Sequence, residues 1–178
     1  MRIDRLLALA AGMSRTQARD AIRAGRVLLD GKPDASPKAQ AEPGADVRLD
    51  GHPLDANTEA HLMLNKPAGV LTAARDPKQP TVMGLLPARY ARIGCMPVGR
   101  LDKDSEGLLL LTTDGELAHL LLSPRREISK EYLVRASGRV DEADVDAFRD
   151  GVALSDFTAR PAALEIISTE DGFSVCRV

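Results

Sequence analysis

Four consecutive leucines and two threonines, Leu108-Leu-Leu-Leu-Thr-Thr113, end abruptly at Asp114-Gly115. A run this short and apolar, closed by a turn pair, predicts a buried strand rather than a helix. The segment before it, Pro97-Val-Gly-Arg-Leu-Asp-Lys-Asp-Ser-Glu-Gly107, packs three acids, two bases and two glycines into a loop feeding that strand. Glycine lets the backbone turn sharply and the strand fixes the loop's base, so acidic side chains can be held rigidly beside a cleft. The residues alone leave three readings open. Asp102, Asp104, Glu106 and Gly107 occupy the first, third, fifth and sixth positions of a calcium loop, but its twelfth position is Thr113 and strand, not helix, follows. The loop could equally be a surface turn with solvated charges. The third reading is a catalytic carboxylate at Asp102, with Arg100 beside it to pair a substrate phosphate or carboxylate.

Around this loop, strand-like and helix-like runs alternate. His61-Leu-Met-Leu64, Gly69-Val-Leu-Thr72, Glu131-Tyr-Leu-Val-Arg135, Ala163-Leu-Glu-Ile-Ile167 and Phe173-Ser-Val-Cys-Arg-Val178 read as strands. Residues 116–122 and 140–150 read as helices, the second capped by Asp141 and stopped by Gly151. The mixture predicts an α+β fold with a mostly antiparallel sheet. At 44% hydrophobic and 28% charged residues, the chain is not disordered, collagenous or a coiled coil. No apolar run reaches the ~18 residues of a membrane span, so no membrane partner is expected. Three phenylalanines, two tyrosines and no tryptophan imply an aliphatic core and a small base-stacking surface. Cys95 and Cys176 lie too far apart in sequence for a ligand set, so neither a disulfide framework nor a metal site is expected, and both thiols are expected buried. Arg2 and Arg5 ahead of the apolar residues 6–11 faintly resemble a leader peptide. That stretch is short and runs into a charged helical pattern, which predicts a helix of the mature, cytoplasmic chain.

Residues 1–32 carry seven Lys or Arg against three Asp, a local net charge of +4 in a chain that totals −2. A basic terminal module on an acidic body suits a nucleic-acid binder, although a solvated basic helix face produces the same count. Residues 4–11 place Leu6, Leu7 and Ala10 on one helical face, with Gly12 as a left-handed stop. Ser14-Arg-Thr-Gln17 spells a capping box for a second helix that turns Ala18, Ala21 and Ile22 inward and ends near Gly25. Arg26-Val-Leu-Leu29, the Asp30-Gly31 turn and Asp46-Val-Arg-Leu-Asp50 predict a small sheet. Arg15, Arg19, Arg23 and Arg26 would then form a stripe suited to a phosphate backbone. Residues 51–60 have turn chemistry without periodicity and read as a linker.

Taken as a set, Arg2-Ile-Asp-Arg-Leu-Leu7, Ser14-Arg15, Ala18, Ile22-Arg23, Gly25-Arg-Val27 and Asp30-Gly31 resemble the S4 RNA-binding module. The resemblance implies RNA contacts from Arg2, Arg5, Ser14, Arg15, Arg19, Arg23 and Arg26. Further along, Leu64-Asn-Lys-Pro-Ala-Gly69, Gly99-Arg-Leu-Asp102, Asp104-Ser-Glu-Gly107, Ser123-Pro-Arg-Arg126 and Lys130-Glu-Tyr-Leu-Val134 resemble the pseudouridine synthases that modify bacterial ribosomal RNA and carry an appended S4 module. This second resemblance implies an S4-like module over residues 1–50, a linker over 51–60 and a synthase domain over 61–178. It makes Asp102 the catalytic aspartate and sets Arg100 to hold the target base out of the RNA stack. Tyr132 would pack on the flipped base, its alternative being an ordinary strand aromatic. Asn65, Lys66, Pro67, Gly99, Leu101 and Gly107 would support the loop, and Lys103, Asp104 and Glu106 would shape it. His52, His61 and His119 receive no role. The implied reaction detaches uracil from its ribose, rotates it and rejoins it through carbon, with no cofactor and no net redox change.

The partner implied is ribosomal RNA or a ribosomal assembly particle. Ser123-Pro-Arg-Arg126 and Arg160-Pro-Ala-Ala-Leu-Glu165 lean toward the small-subunit enzymes. A monomer is expected, since no long exposed apolar stripe is evident. The last strand reaches Val178 without a cap, so the family's further basic motif, which would pair the catalytic aspartate, is expected to be missing. Two other functions compete: an RNA-binding protein on an inactive synthase scaffold, and a ribosyl hydrolase that uses Asp102 to release free uracil.

Overall fold

The computed structural model describes residues 1–33 and 36–178, which divide into two units, Met1–Arg126 and Glu127–Val178. Residues 34 and 35 of the expected 1–50 module lie outside the described residues.

Helix α1 (Ile3–Ala11) opens the first unit with Ile3, Leu6 and Leu7 buried, and Gly12 ends it at φ 71°. Helix α2 (Arg15–Arg23) begins at the expected capping box: Ser14 Oγ accepts from the Gln17 N–H and Gln17 Oε1 accepts from the Ser14 N–H. Two orphan donors of the first turn are thereby satisfied. Ala18, Ala21 and Ile22 face inward and meet Val27 and Val47 from the sheet in one aliphatic core. Each fully buried Leu or Ile there contributes about 1.5–3 kcal/mol.

Strands β1 (Val27–Leu29), β2 (Lys32–Pro33), β3 (Val47–Leu49) and β4 (His52–Pro53) form an antiparallel sheet in the order β2-β1-β3-β4. Both outer hairpins close through an Asp-Gly pair at positive φ, Asp30 (51°) with Gly31 (76°) and Asp50 (52°) with Gly51 (80°). Such paired left-handed residues give the twist that two-residue hairpins need. Residues 52 and 53, inside the stretch expected as linker, therefore pair with β3, and the strand-free connector starts at Leu54.

The rest of the first unit is built on a second sheet, ordered β5-β7-β6 and antiparallel: β5 (His61–Lys66), α3 (Ala88–Arg92), β6 (Met96–Val98) and β7 (Gly107–Thr112) follow in chain order. Helix α4 (Gly115–Leu122) comes next, its N-terminal amides of Glu116 and Leu117 bonded to Asp114 Oδ1. Leu109 and Leu111 point into a core with Val70, Val82, Met83 and Cys95. The four-leucine strand is buried on one face only: Leu108 is 67% exposed and its sheet neighbour Met63 80%. Alternation along the strand sends every second side chain to the outer face.

Residues 69–72 depart from expectation, since they form no strand and contribute one isolated bridge, Leu71 with Thr81. Their polar groups are committed elsewhere. The Gly69 N–H bonds the Lys103 carbonyl, while the Leu71 N–H and carbonyl pair with Pro80 and Val82, so the pairing stops at that one bridge.

The second unit carries β8 (Leu133–Ser137), α5 (Glu142–Asp150), β9 (Glu165–Glu170) and β10 (Phe173–Arg177), with an antiparallel sheet ordered β8-β10-β9. Asp141 caps α5 reciprocally with Asp144, and Gly151 ends it. Strand β8 starts two residues later than predicted, leaving Tyr132 just ahead of it, and β9 starts after Ala163 and Leu164. Helices and antiparallel sheets in both units make the fold α+β.

Candidate active site

The loop between β6 and β7 is held almost entirely by its main chain. Lys66, the last residue of β5, is 1% exposed and sits opposite Gly107 in the β5–β7 register. Its Nζ donates to the carbonyls of Pro67 (3.1 Å), Asp102 (3.0 Å), Lys103 (3.1 Å) and Ser105 (2.8 Å). A buried ammonium is tolerable only when its lost hydration is replaced. Here carbonyl oxygens replace it, and in return they fix the loop.

Two further clamps act on the same stretch. The Thr72 hydroxyl donates to the Leu101 carbonyl at 2.7 Å and accepts from the Leu101 N–H at 3.2 Å, so one side chain satisfies both polar groups of that residue. The Gly69 N–H reaches the Lys103 carbonyl at 2.8 Å. Leu101 and Lys103 are thus pinned on both sides of Asp102, whose own carbonyl also accepts from the Ser105 N–H. At the loop's start Gly99 has φ 81°, and a Cβ there would stand 3.2 Å from Leu122 Cδ2 of α4. Left-handed backbone and close approach both favour glycine. Gly107 closes the loop at φ 120°.

The side chains of Arg100 and Asp102 are exposed, and neither makes a hydrogen bond or ion pair among the described residues. Asp102 is therefore a free carboxylate on a fixed backbone. Asp104 and Glu106 are exposed as well, and among the described residues no group of His, Cys, Asp or Glu is arranged to hold a metal ion. The strand that follows Gly107 also removes the exiting helix that a calcium loop needs. Asn65 is exposed on β5 opposite Leu108. Beneath the loop's first strand, burial pushes the Cys95 thiol up, which keeps it a protonated, unreactive core group.

Tyr132 belongs to the second unit. It is 42% exposed, and its N–H and carbonyl both pair with Val178, each at 2.9 Å. His119 lines a hollow of about 330 Å³ along α4 with Glu116, Ser123 and Arg126, and His61 Nδ1 lies 2.8 Å from Thr112 Oγ1.

The basic stripe expected on the small module is divided in the structure. Arg2, Arg15 and Arg19 converge on Asp4, Arg23 pairs with Asp20, and Arg26 pairs with Asp50. Arg5 is exposed on α1, and the Ser14 hydroxyl is engaged as a helix cap. Asp4 and Thr72 were not legible as site residues. Asp4 had one signal, an acid on an otherwise basic helix turn, while Thr72 had none.

Comparison with known proteins settles the family. The model for RNA pseudouridylate synthases matches residues 60–172, and the S4 domain model matches residues 1–47. The chain belongs to the RNA pseudouridylate synthases. YtzG of Bacillus subtilis (strain 168), an uncharacterised RNA pseudouridine synthase, is 40% identical over 177 residues, spanning 98% of this chain and 74% of that protein. Ribosomal large subunit pseudouridine synthase B of Escherichia coli (strain K12) is 40% identical over 96% of this chain, which spans 60% of the relative's length. Ribosomal small subunit pseudouridine synthase A of Yersinia pestis is 37% identical over 96% of this chain and 73% of the relative. A crystal structure of a pseudouridylate synthase aligns over the whole chain and 76% of its own, with a TM-score of 0.57 and 30% identity. Within this family, the pinned loop carrying Asp102 is the candidate catalytic element and the S4 module the candidate RNA anchor.

Proposed function

We propose that this synthase isomerises one uridine of ribosomal RNA, with Asp102 as the essential carboxylate. The observation that carries the reading is the exposed, unpartnered Asp102 side chain between two residues whose main chain is clamped by Lys66, Thr72 and Gly69. Chemistry on a base needs such a group held still, because the flipped nucleotide must arrive at a preformed geometry. Asp102 acts as nucleophile toward the uridine, and the bond its carboxylate makes breaks again, returning the free carboxylate, by the time the new carbon–carbon bond is complete. The bond from uracil N1 to the ribose breaks, the base turns, and a bond from C5 to the same ribose carbon forms. C5 gives up its proton and N1 gains one, so atoms and electrons balance without a cofactor.

Extracting the base costs a few kcal/mol of stacking, and Arg100 occupies the vacated position in the RNA. Tyr132 packs against the flipped base. Asn65, Lys66, Pro67, Gly99, Leu101 and Gly107 keep the loop in shape. In the domain organisation we propose, residues 1–50, extended by the paired residues 52 and 53, form the RNA-binding module, 54–60 the connector and 61–178 the synthase domain. The enzyme works as a monomer in the cytoplasm, on ribosomal RNA or an assembling particle. Relatives named for each ribosomal subunit stand at similar identity, and the segments 123–126 and 160–165 favour small-subunit RNA as the substrate.

The test is pseudouridine mapping on small-subunit ribosomal RNA incubated with this chain, beside Asp102→Asn. One new pseudouridine that disappears in the variant, with RNA affinity nearly unchanged, is the expected result. Normal turnover by Asp102→Asn would remove Asp102 from the mechanism. Free uracil would mark a ribosyl hydrolase, and RNA binding without modification a non-catalytic binder.

A further inference from the structure

Helix α3 faces two ways. Tyr90, and Ile93 just past the helix end, pack against the core that holds Cys95 and Leu109. The Cys95 N–H bonds the Tyr90 carbonyl at 2.9 Å, which ties the helix to β6. Arg89 and Arg92 stand one turn apart on the same side and reach away from that core, into the small module and its connector. Arg92 donates from Nε to the Leu9 carbonyl at 2.9 Å and from Nη2 to the Ala10 carbonyl at 3.4 Å. Arg89 pairs with Asp55 and gives Nη2 to the Asn57 carbonyl at 2.8 Å.

Both targets suit a cation. The last carbonyls of a helix lack partners within it and lie at the negative end of its dipole. The last turn of α1 has no basic residue of its own, so Arg92 supplies one from the synthase domain. The seat is made by Gly12, where a Cβ would stand 3.2 Å from Arg92 Cζ. Arg89 fastens the middle of the connector, which has neither strand nor helix. From α3 the chain runs into β6, and β6 leads directly into the Asp102 loop. The two arginines therefore join the module to the same support that carries the catalytic carboxylate. Without them only the connector 54–60 would hold the module, and a chain of that length extends about 25 Å. An RNA on so loose a tether would offer Asp102 several neighbouring uridines.

We propose that Arg89 and Arg92 are positioning residues that dock the small module on the synthase domain and so select which uridine of a bound RNA meets Asp102. This role rests on the RNA-modifying reading above. The two side chains act through the protein and not on the RNA: one holds the end of α1, the other the connector.

The double variant Arg89→Gln with Arg92→Gln tests this by two routes. Lys38 of the module and Lys78 of the synthase domain are exposed, while Cys95 and Cys176 are buried. Nitroxides on Lys38→Cys and Lys78→Cys then report the distance across the dock by pulsed electron–electron resonance. One narrow distance is expected with the arginines present and a broad distribution without them. Pseudouridine mapping on ribosomal RNA of both subunits is the second route. The double variant should modify the wild-type uridine about tenfold more slowly and mark neighbouring uridines as well. Its RNA affinity should stay within about twofold and its salt slope should not change. An unchanged distance would overturn the proposal, as would a broad distance with one uridine still modified at full rate. A salt slope flattened by about two would make the arginines phosphate contacts instead, and a large loss of RNA affinity would mark a damaged module. Should the double variant fail to fold, the two single variants decide, each expected to show part of the broadening. A wild-type chain that modifies no uridine would sink the RNA-modifying reading, while the distances would still decide whether the arginines dock the module.

Discussion

Replacing Lys66 by methionine tests how the loop is held, because Met keeps the side chain's length and burial but removes the ammonium. Four carbonyls lose a donor, and they do not lose equally. The Asp102 carbonyl keeps the Ser105 N–H and the Lys103 carbonyl keeps the Gly69 N–H. Those of Pro67 and Ser105 have only Lys66 among the described residues. Pro67 is exposed and Ser105 half-buried, so two stranded, part-buried acceptors at the low end of about 1–3 kcal/mol each, partly offset by no longer burying a charge, give a local cost of about 1–2 kcal/mol. The loop can recover that by letting residue 105 turn toward water, which moves its neighbour Asp102. A displacement of about 1 Å at a reacting group costs about a hundredfold in rate. Lys66→Met should therefore lower single-turnover pseudouridine formation about a hundredfold, while RNA affinity stays within about twofold. Full turnover with a stable loop would refute the carbonyl cage as the loop's support. A loss confined to RNA affinity would place Lys66 in binding instead.

Other perturbations separate the remaining supports. Thr72→Val keeps shape but strips both hydrogen bonds from Leu101; about a tenfold loss in turnover is expected, and unchanged turnover would show the clamp to be redundant with Lys66. Burial alone would raise Asp4, but the guanidiniums of Arg2 and Arg19, with Arg15 beyond, hold its carboxyl below the usual range. A carboxylate depressed in the fold contributes stability above its unfolded value of about 3.9, and that contribution disappears as pH falls through the folded one. Urea melts should accordingly show an acid-labile component below about pH 4 that is missing in Asp4→Asn; parallel pH profiles for the two chains would contradict this. In the second unit, Gly151 has φ 98° and a Cβ there would lie 2.6 Å from the Ala159 carbonyl oxygen. Gly151→Ala should cost about 1–3 kcal/mol, seen as faster hydrogen exchange in α5, and wild-type exchange rates would show that the turn relaxes freely.

What could be read in advance was short in range. The capping box at Ser14, the cap at Asp141, the stop at Gly12 and the Asp30-Gly31 turn each depend on residues within four positions, and each formed where expected. The Asp50-Gly51 hairpin carried the same signal but led into a strand of two residues, too short to show alternation. The segment 69–72 had strand composition, yet the Gly69 N–H and the Thr72 hydroxyl were claimed by a loop some thirty residues away, which no local pattern records. Asp4 meets arginines both beside it and on the next helix. Lys66 was legible as loop support through its motif, whereas the four oxygens around its ammonium are a product of the folded chain.

Each clamp described on the Asp102 loop grips main-chain atoms: Lys66 takes carbonyls, Thr72 takes the N–H and carbonyl of Leu101, and Gly69 takes the carbonyl of Lys103. None uses the side chains of residues 100–104. The scaffold therefore separates where the loop sits from what it presents, and side chains can change there without disturbing the support. Asp102→Asn deletes a charge from an exposed, unpartnered position, so it leaves no buried group unsatisfied and alters no clamp. Loss of activity in that variant can then be assigned to the carboxylate itself. Lys66→Met does the reverse, keeping the carboxylate and loosening its support. If isomerisation needs both, the two variants should fail differently: Asp102→Asn with an intact loop, and Lys66→Met with faster hydrogen exchange across residues 101–105.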